Sequence, residues 1–191
     1  MDARTRFFDY DEVLRELKDA VKRDINTSMV CRVAKDSDGH TAVLQPLVKA
    51  IVQKADGTSE YVSLPSIPDV PIKFPSGGGH ILTHPLKEGD EVEANFHSMA
   101  FSGWFQNGGE QSPSSAAKQG LSFATCTPGL RSDPNKLQNY SPESAQFRTV
   151  DAKSCVDVSP QSVTTNRKDT ISKLLDHGMT HDSEKILINC K

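Results

Sequence analysis

The sequence predicts a mainly β protein made of an N-terminal helix, a five-stranded barrel and a C-terminal run of short strands that other copies of the chain complete. Three observations carry this. Apolar residues recur at steps of three and four before residue 28 and at steps of two after it. From there to residue 130, strand-like runs are short and punctuated by turns. Beyond residue 131, the runs become shorter and more polar.

Composition sets the limits within which these elements pack. A chain of 191 residues holds one domain with a core plus an appendage. Hydrophobic residues make up 36%, charged residues 25%, and the mean hydropathy is -0.49, so a monomeric core is thin and burial against further copies is favoured. Lys and Arg number 22 against 25 acidic residues, a net charge of -3, which provides no electrostatic footprint for nucleic acid. Cys31, Cys126, Cys155 and Cys190 are scattered without Cys-x-x-Cys spacing and read as free buried thiols. The N-terminus lacks the apolar core of a signal peptide and no run reaches membrane-span length, so synthesis and folding in a cytoplasm are expected.

The first element is an amphipathic helix over residues 7–25. Phe7, Tyr10, Leu14, Leu17, Val21 and Ile25 share one face, with Asp9 and Glu12 resembling a capping box and Arg15, Glu16, Lys18, Asp19, Lys22 and Arg23 opposite. From Met29, alternation around a turn at 35–39 predicts a hairpin, and its second strand is expected to run on through Leu47, Val48, Ile51 and Val52. A third strand follows at 61–64, then runs at 70–74 with 81–83 and at 91–96; five segments suit the partly open Greek-key barrel known as the OB-fold. Residues 64–96 are the centre of this design. Pro65, Pro68, Pro71 and Pro75 cannot donate ladder hydrogen bonds and belong at strand starts and edges. Gly77, Gly78 and Gly79 form a reversal; without a following Lys-Ser/Thr or helix they do not read as a phosphate loop. Gly89 and Asp90 mark the turn before the strand at 91–96.

Phe101, Trp104 and Phe105 anchor a Gly/Ser-rich loop and are expected to cap the barrel core rather than form a platform for a base or sugar. Residues 121–130 add a strand-like run ending in the Pro128-Gly129 turn. The sequence thus divides into a helical segment at 1–27, a barrel domain at 28–130, a Pro-containing linker at 131–144 and a C-terminal portion at 145–191. In that last portion, runs at 145–149, 155–158 and 163–165 are separated by polar turns at 150–153 and 159–162. Strands this short and polar call for pairing by other chains, three around one axis. A short helix is expected at 171–181, ending at Gly178, and a closing strand at 186–190.

No catalytic constellation stands out: there is no nucleophile elbow and no pair of acids in a cleft. His177 and His181 have the spacing of a helical metal pair, but Gly178 interrupts them, leaving them weak candidates only; His80 and His84 are followed by Pro85 and read as loop residues. No enzyme activity, cofactor or metal is expected.

The blocks TAVLQPLVK, DVPIKFPSGGG, HPLKEGDEVEANF, Trp104 and PGLRSDPNKLQNYSPESAQFRT occur in an order that resembles the N-terminal OB-fold and neck of the central spike of contractile-tail phage baseplates, also called membrane-piercing or cell-puncturing tail spikes. The resemblance covers residues 28–160. It implies a homotrimer whose barrels form a collar under the tail hub protein, shaped by Pro71, Pro75, Gly77, Gly78, Gly79, Gly89, Asp90, Trp104, Pro128 and Gly129. It also implies a C-terminal triple-stranded β-helix or prism acting as a needle that meets the host outer membrane transiently on sheath contraction, in a virion baseplate. Several members hold an apical iron through a His-x-His pair; this sequence has no such pair, and a separate tip protein is an expected further partner. The alternatives weighed are an OB-fold module for single-stranded nucleic acid or oligosaccharide, disfavoured by the charge and the lack of a basic-aromatic stripe, and a cell-wall hydrolase, for which no inserted segment is long enough.

Overall fold

The computed structural model describes residues 10–183, with 55 and 169 excepted. It divides into two compact units, Met1–Arg131 and Ser132–Lys191. The protein is mainly β, with few helices.

Helix α1 spans Tyr10–Asp24. It begins three residues after Phe7, which lies outside the described residues, and ends one residue before the expected Ile25. Strands β1 (Ser28–Val33) and β2 (Thr41–Pro46) then form the expected hairpin, with Cys31 opposite Pro46 and Val33 opposite Leu44. The second strand does not run on. Chain direction changes after Pro46, and β3 (Ala50–Gln53) pairs only with β4 (Ser59–Val62) in a separate two-stranded sheet. The run at 61–64 is therefore not a barrel strand.

The third strand of the main sheet is instead β5 (Ile67–Pro71). Its prolines are tolerated because it is an edge strand in the ladder, paired with β2 alone. A small hairpin follows, β6 (Ser76–Gly77) and β7 (His80–Ile81), turned by Gly78 and Gly79 at φ 57 and 80. Then β8 (Glu91–Phe96), α2 (Ser102–Asn107) and β9 (Ala124–Pro128) complete the unit. The main sheet has the order β5-β2-β1-β8-β9. It curls into a half-barrel, and its far edges approach each other: Ile72 bridges Cys126 in parallel sense, and the Lys73 amide donates to the Cys126 carbonyl at 2.8 Å.

Alternation decides the core. Ala42 and Leu44 of β2, Val92, Ala94 and Phe96 of β8, and Ala124 and Cys126 of β9 all point inward, joined by Cys31, Val33, Ile67, Val70 and Leu86. The expected aromatic cap is not in this cluster. Residues Ser102–Asn107 form a short helix with no buried residue, and Trp104 is 54% exposed.

The C-terminal unit is a five-stranded antiparallel meander. After a 3-10 turn at Asp133–Asn135 come β10 (Ala145–Arg148), β11 (Ser154–Val158), β12 (Val163–Arg167), β13 (Thr170–Leu175) and β14 (Gly178–Asp182), paired in sequence order. Two expectations are corrected here. Residues 171–181 are not helical: they form a hairpin through the two-residue turn Asp176-His177, in which Leu175 faces Gly178, and Gly178 starts a strand instead of ending a helix. The strands are also paired within one chain, because short hairpin turns bring sequence neighbours together at little entropic cost. The closing strand expected at 186–190 lies outside the described residues.

Candidate functional site

The feature that stands out is one face of the C-terminal sheet. Residues directly opposite each other across an antiparallel sheet project to the same side. Pairing therefore places Ala145, Val158, Val163, Leu174 and Met179 in one apolar row crossing all five strands. Two residues along, Phe147 opposite Val156 extends the same face. These side chains are exposed: Phe147 is 59%, Val158 48%, Leu174 55% and Met179 69% accessible.

The opposite face holds polar rows, Gln146, Asp157, Thr164, Lys173 and Thr180 in one and Arg148, Cys155, Asn166, Ile171 and Asp182 in the next. This is the side the linker is tied to. The Ser144 hydroxyl donates to Asp157 Oδ2 at 2.7 Å, and the Arg148 guanidinium donates to the Gln138 carbonyl. Gln146 Nε2 reaches the same Asp157 oxygen at 2.6 Å; these two donors, Gln146 first, hold the Asp157 carboxyl below its ordinary value. Cys155 is the only buried hydrophobic residue of this unit among those described. The sheet therefore ties its polar side to the linker and leaves its apolar side open, the reverse of a self-sufficient domain. Covering the six large apolar side chains of this face, Phe147, Val156, Val158, Val163, Leu174 and Met179, from about half exposure is worth on the order of 5 kcal/mol per chain.

The residues predicted to shape the barrel unit lie on separate elements. Pro71 ends β5 opposite Thr41, and Pro128 ends β9 opposite Val92, followed by Gly129 at φ 111. Pro75 precedes the small hairpin, Gly77 ends its first strand opposite His80, and the Leu82 amide just after it donates to the Pro75 carbonyl at 2.9 Å. Gly89 and Asp90 do more than turn the chain. The Gly89 amide donates to the Val33 carbonyl, the Val33 amide to the Asp90 carbonyl, both at 2.9 Å, and Asp90 Oδ2 accepts the Lys87 amide at 2.8 Å. This clamps the 87–90 turn onto the end of β1. Trp104 meets Phe101 edge to face, with centroids 6.2 Å apart.

His177 occupies the β13–β14 turn. His181 sits on β14 with Ser172 Oγ 2.5 Å from Nδ1 and Ser183 Oγ 3.1 Å from Nε2, so both ring nitrogens have hydroxyl neighbours. Among the described residues, no group of three or more His, Cys, Asp or Glu is placed to hold a metal. Cys31, Cys126 and Cys155 are free and buried; burial pushes the Cys31 thiol up to about 11 and the Cys126 thiol to about 12. Cys190 lies outside the described residues. No helix among those described is long and apolar enough to cross a membrane.

The apolar row was missed in the sequence. Its signal was Val156, Val158 and Val163 in alternation, but with 171–181 read as helix, Leu174 and Met179 had no strands to occupy.

Residues 29–129, just over half of the chain, match the family described as phage protein Gp138 N-terminal domain. No curated protein matches the chain. The matched segment runs from the second residue of β1 to one residue past β9, the whole curled sheet with its inserted hairpins. The chain is a phage protein and belongs to the Gp138 N-terminal domain family.

Proposed function

We propose that this protein is the structural central spike of a phage, or phage-like contractile injection, baseplate. It works as a homotrimer without catalytic chemistry. The observation that carries the reading is the open apolar face of the C-terminal sheet: three copies can turn these rows toward a common axis and leave the polar, linker-covered face to solvent. A needle built this way is rigid and narrow, which is what transmission of a contraction force to the host outer membrane requires.

The N-terminal unit fits the OB-fold. Its order β5-β2-β1-β8-β9, with the parallel contact between the residue after β5 and β9, supports a Greek-key barrel closed between its third and fifth strands. In this reading it is the collar that docks on the tail hub protein, and a separate tip protein completes the needle. No nucleic acid is a partner. The final location is the tail baseplate.

Light scattering on the purified full chain tests the assembly. The expected mass is about three times the chain mass of 20.9 kDa, and a monomer at micromolar concentration overturns the proposal. Cryo-electron microscopy of the intact tail then checks the position: density for the chain anywhere but on the tail axis below the hub rejects the spike assignment.

A further inference from the structure

A second apolar stripe lies at the other end of the chain. In α1, Leu14, Leu17 and Val21 follow one another at steps of three and four, and they are 57%, 60% and 52% exposed, with Val13 beside them at 46%. Alternating steps of three and four are the spacing of a coiled-coil seam. Val13 and Ala20 take the position next to the seam on one side, making the stripe wider than a two-helix seam needs and suited to a bundle.

We propose that α1 is a self-association element, in which three copies of the helix pack in parallel through Leu14, Leu17 and Val21. The inference rests on the homotrimer proposed above. Two observations favour further copies of this chain over a groove on another protein. First, parallel copies in register place no charged residue at positions 14, 17 and 21, and they bring Val13 and Ala20 of one helix toward the Lys18 side of the next, where a long aliphatic stem covers apolar surface without like-charge repulsion. Second, a 15-residue helix with a two-turn seam is too short to hold together alone from dilute solution, yet chains already joined elsewhere present their helices to each other at millimolar effective concentration. The stripe is as long as such a pre-joined assembly needs.

The test uses the full chain carrying Cys190→Ser, with Leu17→Cys in one variant and Asp19→Cys on the outer face in another. Each is treated with a short bismaleimide, resolved on a denaturing gel, and weighed in parallel by light scattering before cross-linking. We expect trimeric mass for both, a strong covalent-dimer band for Leu17→Cys because two of three seam thiols can be joined, and loss of that band for Asp19→Cys. A trimer in which Leu17→Cys gives no more dimer than Asp19→Cys overturns the helix bundle and leaves the homotrimer standing, with the stripe then free for the hub. A monomeric mass overturns the homotrimer itself.

Discussion

Asp36 and Lys87 join two turns that are 51 residues apart in sequence, with Lys87 Nζ 2.8 Å from Asp36 Oδ2. The other carboxylate oxygen of Asp36 accepts the Glu88 amide at 2.9 Å. The loop after β1 is thereby fastened to the turn before β8, the same turn that Gly89 and Asp90 clamp onto β1. The side-chain bond from Lys87 and then the Glu88 amide hold the Asp36 carboxyl below its ordinary value of 3.8. A group whose folded value is depressed adds stability above its unfolded value, and that stability is lost as pH falls through the folded value. Asp36→Ala is therefore expected to lower the melting temperature slightly at pH 7, since the pair is exposed, and the gap to the parent should close below pH 3.8. A gap that persists in acid would assign the effect to something other than this carboxylate.

Leu44 is fully buried in the curled sheet. Leu44→Ala is expected to cost about 2–5 kcal/mol, from lost burial and the cavity left behind. Urea unfolding followed by circular dichroism measures it; a cost of a few tenths would mean that the sheet interior is not packed around this residue.

The three glycines of the small hairpin are expected to separate by backbone geometry. Gly78 and Gly79 have positive φ, whereas Gly77 does not, and an added Cβ would meet nothing within 4 Å at any of them. Alanine should cost about 1 kcal/mol at Gly78 and at Gly79, purely from conformation, and close to nothing at Gly77. Equal losses at all three in thermal unfolding would show that side-chain space, not φ, is limiting.

Leu174 lies mid-row on the open sheet face. Leu174→Asp places a charge where the proposed trimer is driest, and we expect a monomeric mass by light scattering. Lys173→Asp, on the opposite face, should keep the trimer. Full assembly of Leu174→Asp would remove this face from the interface.

Cys31 and Cys126, with values near 11 and 12 and no exposure, should react with a thiol reagent at pH 8 only on unfolding. Rapid labelling of the native chain at either position would mean that the half-barrel opens readily.

The sequence by itself determined the elements whose signals are local. The change of apolar period near residue 28 marks where α1 gives way to strands, the turn at 35–39 makes the β1–β2 hairpin, and the alternation at 91–96 makes β8. Even the order of blocks around Gly77–Gly79 and Gly89-Asp90 was sufficient to point to a phage family. Long-range pairing had no such signal. Whether Tyr61 or Ile67 lies beside β2 depends on how the chain turns after Pro46, and both runs have strand-like composition. The same holds at the other end, where Gly178 can end a helix or begin a strand, and only the pairing of Leu175 with Gly178 decided between them. Side-chain period in a strand is two, so register alone fixes which residues share a face. The tertiary structure therefore decided what matters most for function, that Val158, Val163, Leu174 and Met179 stand in one row, exposed among the described residues.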